Sequence, residues 1–342
     1  MNSIVQDNFK FERRLSFALI FFILGLMALG AGVRTMGAGL ACPDWPLCFG
    51  KIIPDFHVGV YFEFIHRAYA GLVSILFFVL GCCIFRNRHS TVMMRALVVG
   101  AVFVLLFQII MGGLTVLKLL QFGIVAMHLT LATVFLLCNM VLWMIMDSIK
   151  QQAGVAEALS ELANSTVEAS PASEVSSALT SSELATSTAK AFSSMTSSVP
   201  AHSSVPLYLK LLVGGLPFLI FGQIVLGGLV ASTYAGLMCV DFPLCQGQWV
   251  PTLSGPIGLQ IMHRFLAYGI CIYVFGIAIA MHFFRNSPWM TNKVRNNIFA
   301  LVGLVLLQIA IGVANLVYLI PPLLTVLHQF VAMVILLKSV RL

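Results

Sequence analysis

The sequence predicts an all-α polytopic membrane protein: eight transmembrane helices, built as two parallel four-helix bundles related by a pseudo-twofold axis. Three observations carry this. The 342 residues are 60% hydrophobic and 9% charged, where a soluble domain has about 25% charged residues, and the mean hydropathy is +1.00. Eight apolar runs are each long enough to cross about 30 Å of hydrocarbon. A cysteine and histidine pattern recurs in the second half of the chain at a constant spacing. This composition excludes an ordinary soluble enzyme, a disordered chain and a secreted disulfide scaffold.

The runs are roughly residues 15–33, 62–85, 96–117, 122–146, 209–231, 258–284, 297–318 and 323–340, the last being short. Lys and Arg set their orientation. Lys10, Arg13 and Arg14 precede the first run, and Arg86, Arg88 and Arg95 separate the second from the third. Lys150, Lys190 and Lys210 lie in or beside the central segment. Arg285, Lys293 and Arg295 separate the sixth run from the seventh, and Lys338 and Arg341 end the chain. These are 14 of the 19 basic residues. By the positive-inside rule both termini and the central segment are cytoplasmic. The net charge of +7 thus sits at span ends, and no nucleic-acid partner is expected; the partner is membrane lipid. Residues 10–33 are too long an apolar run for a signal peptide, and Gly39 is a poor fit to a lipoprotein cleavage site before Cys42.

Residues 148–206 are rich in Ser, Ala and Thr with scattered Glu. Such a stretch buries too little apolar surface to offset its ordering entropy. It is expected to be a flexible cytoplasmic linker between an N-terminal half, 1–147, and a C-terminal half, 207–342.

The halves repeat. Cys42-Pro43-Asp44-Trp45-Pro46-Leu47-Cys48 matches Cys239-Val240-Asp241-Phe242-Pro243-Leu244-Cys245, and His66-Arg67 matches His263-Arg264, all at an offset of 197 (42 to 239, 66 to 263). His128 and His328 follow in the fourth run of each half. Each half has an even number of spans, so the repeats are parallel; inverted repeats need an odd number. Gly30, Gly112, Gly227 and Gly312 recur in the odd-numbered runs, and Gln108, Gln223 and Gln308 each precede one of them by four residues. These fit close helix packing with Gln as interhelical glue, or a backbone kept bare for a flat ligand.

Of eight histidines, His66, His128, His263 and His328 lie inside spans. All four are about 7–9 Å below the outer boundary at 1.5 Å rise per residue. Ionisable groups at membrane depth are costly and mark functional sites. Two histidines on facing helices can hold a metal, yet no Cys, Asp or second His lies within helical reach to complete a zinc shell. Two imidazoles suffice when a macrocycle supplies the other four ligands. The economical reading is bis-His haem ligation, once in each half. Arg67 and Arg264 follow two of the ligands, where a guanidinium could meet a haem propionate or snorkel to the interface.

Glu63 is the only acidic residue well inside a span. It lies three residues before His66 and on the same helix face, and its counterpart is Gln260. A carboxyl group there could relay protons, which oxygen chemistry at a haem needs, or could pair with Arg67 four residues on. Chemistry is expected in the N-terminal half, with electron storage or structural support in the C-terminal half. Cys42/Cys48 and Cys239/Cys245 fall in outer loops. Their spacing allows a small disulfide loop in an oxidising compartment, as a staple over the site or, for the first pair, with a redox or haem-handling role. Cys82, Cys83, Cys138 and Cys271 are in spans and read as packing residues.

On these residues the sequence resembles the haem A synthase family (CtaA/Cox15), in its bacterial, cysteine-containing branch, over both four-helix halves. The specific motifs are the Cys-Pro-Asp-Trp-Pro-Leu-Cys loop, Glu63-x-x-His66-Arg67 and the four intramembrane histidines. The resemblance implies oxidation of the C8 methyl group of haem o to a formyl group, by successive hydroxylations and loss of water. It implies that His66 and His128 flank the substrate haem, that Glu63 is the catalytic carboxylate, and that His263 and His328 bind haem b. Haem o synthase is then an expected partner, cytochrome c oxidase the recipient of haem a, and the bacterial cytoplasmic (inner) membrane the location. The electron donor carries no signature in this sequence. The 148–206 segment is longer than the family leads one to expect. The competing reading is a bis-His cytochrome b that passes electrons from quinol to a partner.

Overall fold

The computed structural model describes residues 8–168 and 205–342. Among them are eight long helices and no strand: α1 (Lys10–Thr35), α2 (Val58–Arg86), α3 (Val92–Leu117), α4 (Phe122–Glu168), α5 (Leu207–Ser232), α6 (Gly255–Phe283), α7 (Asn292–Val317) and α8 (Pro322–Val340). All eight are long and apolar enough to span a bilayer, as a multi-pass membrane protein requires. Large side chains such as Phe103, Phe218 and Ile272 point outward, fully in the manner of lipid-facing residues.

Most helices begin three to five residues before the apolar run and keep its end. In α3 and α7 the cause is local: Thr91 and Thr291 accept hydrogen bonds from the backbone N–H of Met94 and Val294, at 3.2 and 3.3 Å, so each N-cap fixes a helix start ahead of the apolar run. At the far ends of α3 and α7 the chain reverses through Leu119-Leu120 and Leu319-Ile320, all four at positive φ. That double left-handed step ends the helix on both sides of the repeat.

One expectation needs correcting. The first part of the 148–206 segment is helix rather than flexible chain: α4 continues to Glu168, and its residues 148–161 are largely exposed. Ala, Gln, Glu and Leu dominate this stretch, and their helix propensity extends an already nucleated helix without an apolar face. Residues 169–204, where the rest of the expected linker falls, lie outside the described residues.

Within the N-terminal half α1 packs on α2 and α4, and α3 on α4; α5, α6, α7 and α8 repeat the same pairings. The halves meet where α1 packs on α8 and α4 on α5. These are the same two repeat positions, taken in opposite order. Gln329 of α8 donates to the Met27 carbonyl of α1 at 3.1 Å, and Leu129 of α4 rests on Gly228 of α5. Thr133 of α4 meets Met333 of α8, with Oγ1 3.9 Å from the thioether sulfur. Residues 133 and 333 are equivalent in the repeat, and contact between equivalents is what residues beside a twofold axis make.

Burial is uneven along the helices. The tightly packed core, with Leu19, Phe77, Leu80, Leu136 and Met146, fills the half of the bundles nearer the start of α1 and the end of α8. On α2 no residue is buried between Glu63 and Val73, and on α6 none between Arg264 and Ile270. The opposite half of each bundle, toward the disulfide loops, is the loosely packed part, and the intramembrane histidines lie there.

Candidate functional site

The histidine positions follow from the helix starts. His66 and His263 lie eight residues into α2 and α6 (58 to 66, 255 to 263), and His128 and His328 six into α4 and α8 (122 to 128, 322 to 328). At 1.5 Å per residue the pairs sit about 12 and 9 Å from their helix starts. His66 is within electrostatic reach of His128, and His263 of His328. Each half thus brings its own two histidines together.

Every one of these rings is seated on a glycine. A Cβ added to Gly30 would stand 2.9 Å from His66 Cε1, and one on Gly112 3.1 Å from His128 Cε1. The same holds for Gly227 with His263 (3.0 Å) and Gly312 with His328 (3.1 Å). The glycines therefore keep the helix backbone bare for an imidazole, a third option beside the two the sequence left open. Gln108 lies 3.3 Å from His128 Nε2. Gln223 lies 3.4 Å from His263 Nε2 and donates to the His263 carbonyl at 2.9 Å. Gln308 donates to the His328 carbonyl at 3.0 Å. The glutamines act as interhelical glue, and they grip the histidine segments in particular.

The Nδ1 atoms of all four histidines are buried with no hydrogen-bond partner among the described residues. A buried polar atom left unmatched costs about 1–3 kcal/mol, so four at equivalent places mark what the rings are for. Among the described residues no group of three or more His, Cys, Asp or Glu could hold a bare metal ion. Two imidazoles per half, on helix stretches where few side chains are buried, fit a haem, whose porphyrin would complete the ligand set.

Beside each site the cysteine loop is tied down by the arginine after the histidine. Arg67 donates through Nη1 to the carbonyls of Asp44 and Leu47, at 2.7 and 2.6 Å. Its Nη2 reaches the Cys42 carbonyl at 3.3 Å. Arg264 repeats this set with Asp241 at 2.9 Å, Leu244 at 2.7 Å and Cys239. Cys42 is joined to Cys48 and Cys239 to Cys245, and all four cysteines are buried. The pairs staple the two loops, and the Trp45–Pro46 and Phe242–Pro243 bonds are both cis. Sequence reasoning did not anticipate the arginine anchors, because backbone carbonyls leave no mark in residue types.

Glu63 is 4% exposed. Its Oε1 pairs with Arg67 Nη2 at 2.5 Å, and its Oε2 accepts from the Cys42 N–H at 2.8 Å. The ion pair with Arg67 that the spacing allowed is present, and the loop contact comes with it. Gln260 differs: its Nε2 reaches the Gly236 carbonyl at 3.3 Å, and its Oε1 is buried without a partner among the described residues. A second asymmetry lies beside it. The Trp45 ring rests on Gly113 of α3, whereas Phe242 and Val313 occupy the matching positions.

The loops also carry an aspartate that the sequence did not single out. Asp44 accepts from the backbone N–H groups of Phe49 and Gly50 at 2.6 and 2.7 Å, and Asp241 from those of Gln246 and Gly247 at 2.9 Å each. Phe49, Gly50, Gln246 and Gly247 have positive φ, so each aspartate closes a left-handed turn. The Gly50 N–H above all, then the Phe49 N–H and Arg67, hold the Asp44 carboxyl below the ordinary carboxylate range. A depressed value means the turn's stabilisation is complete above an ordinary pKa of about 3.9 and is lost as pH falls through the lower folded-state value. Amide-exchange protection of Phe49 and Gly50, corrected for intrinsic rate, should be flat from neutral to mildly acid pH and fall only in strong acid. A fall near neutrality would contradict this.

Comparison with known proteins gives a consistent picture. The family model COX15-CtaA, described as cytochrome oxidase assembly protein, matches residues 13–174 and 175–340. Curated relatives named heme A synthase include that of Shouchella clausii, 28% identical over 74% of this chain and 70% of the relative. That of Halalkalibacterium halodurans is 25% identical over 83% and 80%. That of Shewanella oneidensis is 25% identical over 95% and 93%.

Proposed function

The chain belongs to the COX15-CtaA family, and we propose on that basis that it is a haem A synthase, oxidising the C8 methyl group of haem o to the formyl group of haem a. The observation that carries the residue assignment is the repeated glycine-seated histidine pair, present in both halves, with a carboxylate beside it in only one.

In this reading His66 and His128 hold the substrate haem o from the two sides of the N-terminal bundle. Gly30 and Gly112 set how closely each imidazole lies to the neighbouring helix, and so fix its reach. Glu63 sits one helical turn from His66, with each oxygen already bound. Its role is to hold and pass a proton at the reacting face, with Arg67 and the Cys42 N–H keeping the carboxylate oriented. The stapled loop covers the site and limits water. His263 and His328 hold haem b, which when bound supplies a one-electron store. The Gln260 amide carries no proton to pass, in keeping with a site without chemistry. Cys42–Cys48 and Cys239–Cys245 serve as structural staples. The location is the bacterial inner membrane with cytoplasmic termini, and haem o synthase, an electron donor and cytochrome c oxidase are its partners in supply and delivery.

The test is pigment extraction. The chain, expressed with a haem o synthase in a host that makes no haem A, should yield haem b together with haem a or a hydroxylated haem o. Haem b alone would instead indicate the electron-transfer cytochrome.

A further inference from the structure

The two halves neutralise the arginine that follows the first histidine differently. Arg67 has Glu63 as a direct ion-pair partner. Arg264 is 7% exposed and has no ion pair among the described residues, because Gln260 stands where Glu63 does. The nearest acid, Asp241, is committed to the backbone of its own turn on the loop surface. A buried cation without a counter-ion is strongly disfavoured unless an anion arrives. Three carbonyls take up part of the guanidinium, but Arg264 Nε is buried without a partner among the described residues. So is the hydroxyl of Tyr268, four residues on, one helical turn along the same face of α6 and within electrostatic reach of Arg264. The residue equivalent to Tyr268 in the N-terminal half is Gly71 (268 less 197).

We propose that Arg264 Nε and the Tyr268 hydroxyl form a carboxylate-binding subsite for a propionate of the haem held by His263 and His328, and that the N-terminal half has no such subsite because Glu63 and Gly71 replace Gln260 and Tyr268. This rests on the haem assignment above. The asymmetry separates a retained group from an exchangeable one. Anion and buried guanidinium complete each other in the C-terminal half. In the N-terminal half the internal carboxylate occupies the arginine, so a haem there is held by its iron and can leave after reaction.

The experiment uses the purified, haem-loaded full chain and follows haem b transfer to excess apomyoglobin. Tyr268→Phe removes one donor without disturbing the loop, and Gln260→Glu supplies Arg264 with an internal counter-ion. Each is expected to speed loss of haem b about tenfold, as a lost hydrogen bond to a charged group would, with transfer from the N-terminal site unchanged. Reconstitution with haem b dimethyl ester separates a propionate from a lipid headgroup as the anion. The ester should leave wild type at least as fast as the free acid leaves Tyr268→Phe, and the gap between acid and ester should be smaller in Tyr268→Phe than in wild type. Wild-type retention in both variants, or equal retention of acid and ester by wild type, would overturn the subsite while leaving the synthase assignment intact. Wild-type protein purified without any haem b would instead overturn the haem assignment on which the subsite rests.

Discussion

Glu63→Gln is expected to lower formation of haem a and of its hydroxylated precursor by a hundredfold or more, while both haems remain bound. Positioned acid–base groups contribute roughly 10²–10⁴ in rate, which sets the scale. The substitution is nearly isosteric, and the amide oxygen can still accept from the Cys42 N–H that now reaches Oε2 at 2.8 Å. What disappears is the carboxylate's capacity to take up and release a proton, and with it the ion pair with Arg67. The variant thereby gives the N-terminal half the amide that the C-terminal half already has at Gln260. Extracted haems are analysed by mass, and exchange protection of the 42–50 loop amides reports whether the loop has stayed docked. Loss of product with a docked loop supports proton handling by Glu63. Equal product from both proteins would reduce Glu63 to a fastener between α2 and the loop.

The second large effect is expected at the glycine seats. A Cβ on Gly227 would already stand 3.0 Å from His263 Cε1. Alanine asks the ring to give by a few tenths of an ångström, and valine adds two methyl groups where the ring now lies. Overpacking of this kind costs about 1–3 kcal/mol, and here it falls on the orientation of the imidazole. Gly227→Val should therefore reduce haem b content roughly tenfold or more, with Gly227→Ala intermediate. Gly30→Val should do the same to the haem of the N-terminal half through His66, 2.9 Å from its own seat. Haem-to-protein ratios with extracted-haem identity measure both. A valine variant that keeps full haem would show that the ring has room to move and that the glycine serves helix packing alone.

Much of this molecule was legible in residue types. The eight spans are apolar by composition, the repeat is visible in the cysteine and His-Arg motifs, and Glu63 against Gln260 is a direct reading of the offset. What stayed hidden has physical causes. Arg67 and Arg264 bind carbonyls, and every residue has a carbonyl. The glycines were found, yet a missing side chain does not say which group uses the space, and only the packing of α1 on α2 brings Gly30 under His66. Tyr268 does not stand out in the sequence, because its counterpart in the repeat is Gly71 and the repeat pattern does not mark it. Helix α4 outran its apolar run because its extension rests on propensity rather than on a buried face.

The central claim is a division of labour: substrate haem on His66 and His128, haem b on His263 and His328. It is tested most directly by mass analysis of the haems extracted from two double variants, His66→Ala/His128→Ala and His263→Ala/His328→Ala, each expressed with a haem o synthase. The first should lose haem o and its oxidised products and keep haem b. The second should lose haem b and keep haem o. Loss of the same haem from both variants, or the reverse assignment, would contradict the division.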